Sequence, residues 1–188
     1  MMDLHGVVLE DTLPLRVQMG ALEISAHRSL MADNLALLRA LLVMDEHLPS
    51  EDENREALSN LETKIDLLIL LVSNGIQGLE PLPPSYPCLL GGHDLVWEAT
   101  PSEDAPLNSG EVCVALFLRP RIAMPLFLPG VLQISSIPDS LSAAETLVRH
   151  HLRFQLDERV QESLDRLIFR HHRRAVARRK DQIHPSAE

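Results

Sequence analysis

Four groups of side chains in this 188-residue chain have chemistry open to them: His150-His151, His171-His172, the cysteines Cys88 and Cys113, and the arginine-rich run from Arg166 to Lys180. Neutral imidazole is a good metal ligand, so metal binding is weighed first for the histidines. Adjacent residues do not share a face. On a strand they point oppositely, and on a helix they lie about 100° apart. No Cys or carboxylate stands at ligand spacing to complete a site, so both pairs read as surface or edge histidines and no metal is expected. Two cysteines well separated in sequence make neither a disulfide framework nor a zinc site, and buried, reduced thiols are expected.

Catalytic signatures are missing from the sequence. It has no phosphate-binding Gly-x-x-x-x-Gly-Lys loop, no dinucleotide fingerprint and no nucleophile elbow, and its acids ride on helical stretches as solvated faces. The reading is a non-enzymatic protein without a cofactor. Arg166, Arg170, Arg173 and Arg174 form a candidate surface for an acidic protein partner or an anion. Nucleic acid is not expected. The net charge is −10 and aromatic residues make up 3% of the chain, which leaves little to stack on bases. The charge is uneven: residues 1–110 carry 18 acids against 5 bases, and residues 111–188 carry 9 acids against 12 bases.

Residues 1–10 contain Asp3 and Glu10 and no Lys or Arg, unlike a signal peptide. The most apolar window, Leu67 to Val72, falls far short of the roughly 18 residues of a membrane span. A cytoplasmic protein without membrane insertion is expected.

After a short lead containing Pro14, the stretch from about Met19 to Leu48 lacks Pro, has Gly20 alone, and is rich in Leu, Ala and Met. It predicts a helix. Leu30, Asn34, Leu37, Leu41, Met44 and Leu48 follow the alternating four- and three-residue steps of a heptad seam. A second apolar line, Met31, Leu35, Leu38 and Leu42, runs beside it. Pro49 closes this helix, and Ser50 to Glu53 opens the next as a capping box. Leu58, Leu61, Ile65, Leu68 and Val72 repeat the heptad spacing, and Asn34 could set register. Two seams on one helix need more than one neighbour, so self-association is expected, with a tetramer preferred over a dimer.

From Gly75 to Pro87 the glycines and prolines mark a change of regime. Strand signals follow at Tyr86–Leu90, Asp94–Ala99, Val112–Leu118, Leu126–Ile137 with a Pro129-Gly130 interruption, and Thr146–Leu156. Short strands with Gly and Pro turns predict a small barrel or sandwich. Asp157-Glu158 then starts a capping helix whose apolar residues include Val160, Leu164, Leu167 and Ile168.

This order of elements, with Leu90-Gly-Gly-His-Asp-Leu-Val-Trp97 at a strand turn and Arg170-His-His-Arg-Arg174 near the end of the last helix, resembles the PilZ domain, a fold known for binding cyclic di-GMP. The heptad helices in front are similar to the atypical branch that forms tetramers through such helices. The resemblance implies an α+β architecture: an N-terminal coiled-coil helical hairpin for oligomerisation in residues 1–78, a small PilZ-like β-barrel with a C-terminal helix in residues 79–180, and a tail in residues 181–188. It also implies a cyclic di-GMP signalling or type IV pilus context.

Ligand-binding members carry an Arg-x-x-x-Arg motif before the first strand and an Asp/Asn-x-Ser-x-x-Gly motif after it. Guanidinium groups meet phosphates in bidentate fashion, and small residues let the barrel surface approach the nucleotide. Here Ile76 to Leu89 holds no Arg or Lys, and the second motif falls on Leu89, Gly91 and Asp94. The resemblance therefore implies an oligomeric adaptor that meets an unidentified protein partner and takes no cyclic di-GMP at the usual site. The alternative is a nucleotide receptor with a non-standard arginine site, using Arg119 and Arg121 or the terminal helix.

Overall fold

The computed structural model describes residues 6–20, 23–46, 68, 72, 81–100, 108–122, 124–136 and 148–183, with side chains for all but 43–46, 136 and 178–183. Six strands are formed: β1 (Leu9–Met19), β2 (Ser85–Leu90), β3 (Asp94–Ala99), β4 (Gly110–Leu116), β5 (Leu126–Ser136) and β6 (Val148–Phe154). They close into an antiparallel barrel in the order β1-β2-β3-β6-β5-β4. Closure gives each of these six strands a partner on both sides. Helix α1 (Ile24–Glu46) and helix α2 (Glu158–Ile183) pack on the barrel.

Period-two alternation explains which side chains fill the barrel. In β3, Leu95, Trp97 and Ala99 are buried while Asp94, Val96 and Glu98 face outward; in β6, His150, Leu152 and Phe154 point in while Arg149, His151 and Arg153 point out. Inside, the Trp97 and His150 rings stack with centroids 4.9 Å apart and planes 7° from parallel. His150 is thus not the surface residue expected from sequence. Its strand position turns it inward, and the indole face it meets makes the polar ring tolerable there.

The lead containing Pro14 is a barrel strand, not part of a separate helical region. Leu9–Pro14 pairs with β2 and Leu15–Met19 pairs with β4, so β1 is the strand that closes the ring. Pro14, which has no N–H, sits where β1 passes from one partner to the other. Its carbonyl accepts from the Phe117 N–H at 2.9 Å, and the next residue, Leu15, donates to the Pro84 carbonyl at 3.2 Å. The expected helical stretch from Met19 begins instead at Ile24, after Gly20, which has a φ of 111°. On these residues the barrel draws from both sides of the expected boundary at 78/79.

Strand β5 runs through Pro129-Gly130 without a break. Gly130 lies opposite Phe154, and a Cβ there would collide with the Arg153 carbonyl oxygen and stand 2.7 Å from the Phe154 Cα.

Helices α1 and α2 run side by side in the same direction. His27 lies 3.7 Å from Asp157 near their starts, and Arg170 of α2 donates to the Leu42 carbonyl of α1 at 3.0 Å further on. Met31, Leu37, Leu38 and Leu41 of α1 share one core cluster with Val160, Leu164, Leu167 and Ile168 of α2 and with the barrel lining. Burial of each such side chain stabilises the fold by about 1.5–3 kcal/mol.

The heptad seam expected to face other chains is therefore corrected for part of its length. Leu37 and Leu41 are 4% and 3% exposed within one chain, Leu30 is half-buried against the same core, and Asn34 is fully buried. Asn34 fixes no intermolecular register. Its Nδ2 donates to the Phe127 carbonyl at 2.7 Å, and its Oδ1 accepts from the Phe127 N–H at 2.8 Å, which ties α1 to the start of β5. Over the described side chains, Leu30 to Leu42, both apolar lines of α1 pack into the core cluster shared with its own barrel and α2. The Met44 side chain and Leu48, Leu58, Leu61 and Ile65 lie outside the described residues, while Leu68 and Val72 are helical and 60% and 58% exposed. No coiled-coil hairpin is seen among the described residues.

Candidate ligand and partner surfaces

The turn between β2 and β3 carries the positions aligned with the family's ligand motif. Leu89 is half-buried on the outer wall, in register with Glu10 of β1 and Val96 of β3. Gly91 donates its N–H to the Asp94 carbonyl at 2.8 Å and closes the turn. Gly92 follows, pressed against α2: Gln161 Nε2 donates to the Gly92 carbonyl at 2.6 Å and to Asp165 Oδ1 at 3.0 Å. A Cβ on Gly92 would lie 2.8 Å from that same Asp165 oxygen. A side chain at position 92 would require the exposed Asp165 carboxylate to swing aside.

Asp94 occupies the position where the motif has a glycine. Its Oδ1 lies 2.8 Å from His151 Nε2 and 3.8 Å from Arg153 Nε, both on the outward face of β6. Beside this cluster is a groove of about 370 Å³, with Val7, Ile168 and Phe169 as apolar wall and Asp94 and Asp165 as carboxylates. A phosphodiester entering here would meet two acids, one of them already matched by a neighbouring arginine and histidine. A second outward ion pair, Arg149 Nη2 to Glu98 Oε1 at 2.6 Å, lies further along the outward face of the same two strands.

The four candidate arginines of α2 each make local contacts. Arg166 pairs with Glu162 one turn back at 2.7 Å, Arg170 is spent on the Leu42 carbonyl, Arg173 lies over the Phe169 ring at 6.0 Å from its centroid, and Arg174 is half-buried. Arg119 and Arg121 are exposed in the turn after β4, where Ile122 N–H donates to the Arg119 carbonyl at 2.8 Å.

The thiols are free and buried, as the sequence leads one to expect. Burial pushes the Cys88 thiol up to about 12 and raises that of Cys113. Cys88 Sγ donates to the Tyr86 carbonyl at 3.1 Å. Sequence reasoning passed over Asp165 and Phe169, which line the groove. Their signal was an aromatic residue one helical turn after an acid on an otherwise polar face.

A family model described as "Atypical PilZ domain, cyclic di-GMP receptor" matches residues 37–181. Among solved structures, a pathogenic protein from Xanthomonas campestris, described as a new tetrameric PilZ domain self-assembled through an unusual helical bundle, superimposes with a TM-score of 0.65. The two are 21% identical, and the match covers 93% of this chain and 90% of that one. A search of curated proteins found no match. Among the described residues no helix is long and apolar enough to cross a membrane. With the family match spanning most of its length and the closed six-stranded barrel flanked by two helices, the chain belongs to the atypical PilZ domain family.

Proposed function

We propose that this chain is a self-associating, non-enzymatic adaptor of the cytoplasm, working in a cyclic di-GMP or type IV pilus context by protein contact and not by capturing the nucleotide at Leu89, Gly91 and Asp94. The observation that carries this reading is the placement of Asp94. Its carboxylate stands on the outer wall together with Asp165, and its neighbours His151 and Arg153 are already engaged with it. A ligand motif stripped of its charge-assisted contacts loses about 1.5–3 kcal/mol for each, which takes a micromolar binder out of measurable range after two or three losses.

Self-association is supported by Leu68 and Val72. They are one helical turn apart and exposed, and large apolar side chains in that position favour a neighbour over water. We place the contact on the seam Leu58, Leu61, Ile65, Leu68 and Val72, and prefer a tetramer over a dimer. The Xanthomonas protein described as a helical-bundle tetramer aligns over nearly the whole chain, which supports that preference. Titration calorimetry with cyclic di-GMP tests the nucleotide part of the proposal. No saturable heat is expected, and a stoichiometric heat would overturn it.

A second reading, receptor function through a non-standard arginine site, is favoured by the family's description as a cyclic di-GMP receptor. Arg119 and Arg121 are the residues for it. Replacing both would abolish any heat that the wild-type chain shows.

A further inference from the structure

Helix α2 carries an exposed stripe that no described element of its own chain covers fully. Phe169 is 52% and Val176 39% exposed, and Asp165 and Arg173 on the same stripe are exposed as well. The positions are symmetric in sequence and opposite in charge: Asp165 lies four residues before Phe169, and Arg173 lies four after it. At 1.5 Å per residue each charge is about 6 Å from the aromatic ring along the axis.

From this we infer that α2 is a two-fold contact surface, on which the Phe169 stripe of one copy packs antiparallel against the same stripe of a second copy. An isologous contact requires a patch that complements itself under a two-fold rotation, and this one does. With the two Phe169 rings at the axis, Asp165 of one copy comes level with the second copy's positive position four residues after the ring. The same pair forms again on the other side of the axis.

The groove beside the helix supplies the receiving site. Val7 and Ile168 form its apolar wall next to Phe169, and the carboxylates of Asp94 and Asp165 line it, which suits a planar guanidinium flanked by an aromatic ring. Arg173 already lies over its own Phe169 ring, so the cation and the ring are presented together as one unit. Gly92 and Asp165 both line the groove, and Gln161 Nε2 donates to the Asp165 carboxylate at 3.0 Å, which holds it beside the turn. This contact rests on the reading that the chain self-associates, but it uses residues other than Leu68 and Val72.

Cross-linking at the two-fold axis tests it on the full-length chain. Phe169→Cys is expected to give a covalent dimer under mild oxidation or with a short bifunctional maleimide, whereas wild type, whose cysteines are both buried, gives none. Adding Asp165→Arg should slow the cross-link by about tenfold or more, because both symmetry-related attractive pairs become repulsive. Combining Phe169→Cys, Asp165→Arg and Arg173→Asp should restore the rate, because the swapped charges again face each other. An oligomeric chain whose Phe169→Cys variant does not cross-link, or whose cross-linking ignores the charge swap, overturns the α2 contact alone. A wild-type chain with the mass of a single copy at micromolar concentration overturns the self-association reading and this contact with it.

Discussion

Asn34 and Phe127 exchange two hydrogen bonds, the side-chain amide of one answering the backbone N–H and C=O of the other at 2.8 and 2.7 Å. The amide is fully buried and joins α1 to the start of β5 across 93 residues of sequence. Asn34→Leu would leave both Phe127 backbone groups without a partner in the core. The expected loss is about 2–6 kcal/mol, from about 1–3 kcal/mol for each of the two stranded polar groups. Urea unfolding followed by circular dichroism measures it, and an unchanged midpoint would contradict the assignment.

Trp97 and His150 stack face to face within the barrel, and Trp97 is the chain's only tryptophan. Its fluorescence therefore reports on barrel packing. His150→Ala should shift the emission to longer wavelength and cost about 2–4 kcal/mol through the cavity it opens. His150→Phe keeps an aromatic partner and should retain most of the stability.

Gly130→Ala should destabilise the barrel by about 1–3 kcal/mol or more, since the new methyl would strike the backbone of β6 at Arg153 and Phe154. Neither obstacle is a flexible side-chain tip. Thermal unfolding would show a lowered midpoint for this substitution, and an unchanged midpoint would contradict the close approach of β5 and β6 at this residue.

Cys88 gives the fold an alkaline limit. Its thiol is held protonated by burial, with its value pushed up to about 12 from an ordinary 9.0. The folded-state value lies above the unfolded one, so this contribution is complete below pH 9 and is lost as pH rises towards about 12. Cys88→Ala should flatten the fall in stability over that window. A wild-type chain equally stable at about pH 7 and about pH 11 would contradict the burial of the thiol.

Five of the six strands were legible because alternation and Gly-Pro punctuation are local signals. Asp94–Ala99, for example, alternates outward Asp94, Val96 and Glu98 with inward Leu95, Trp97 and Ala99. Strand β1 was not legible. Its alternation fails at exposed Asp11, it contains Pro14, and its β2 partners lie more than sixty residues further along the chain. The apolar lines of α1 were also correctly seen and wrongly assigned. Periodicity shows that Leu37, Leu38 and Leu41 must be covered, but it does not say whether α2 or another chain covers them.

At the candidate site, the loss of the ligand motif at Leu89, Gly91 and Asp94 could be read directly. The pairing of Asp94 with His151 could not, because it depends on the β3–β6 register that sets these strands side by side. Asp165 and Phe169 join the groove for a similar reason: Gln161 and Gly92 hold α2 against the β2–β3 turn.

The mass of the native chain in dilute solution is the most direct test of an adaptor that works by assembling copies of itself. Sedimentation equilibrium at micromolar concentration should return four chain masses. A single chain mass, with the barrel folded and Trp97 still buried, would contradict the account.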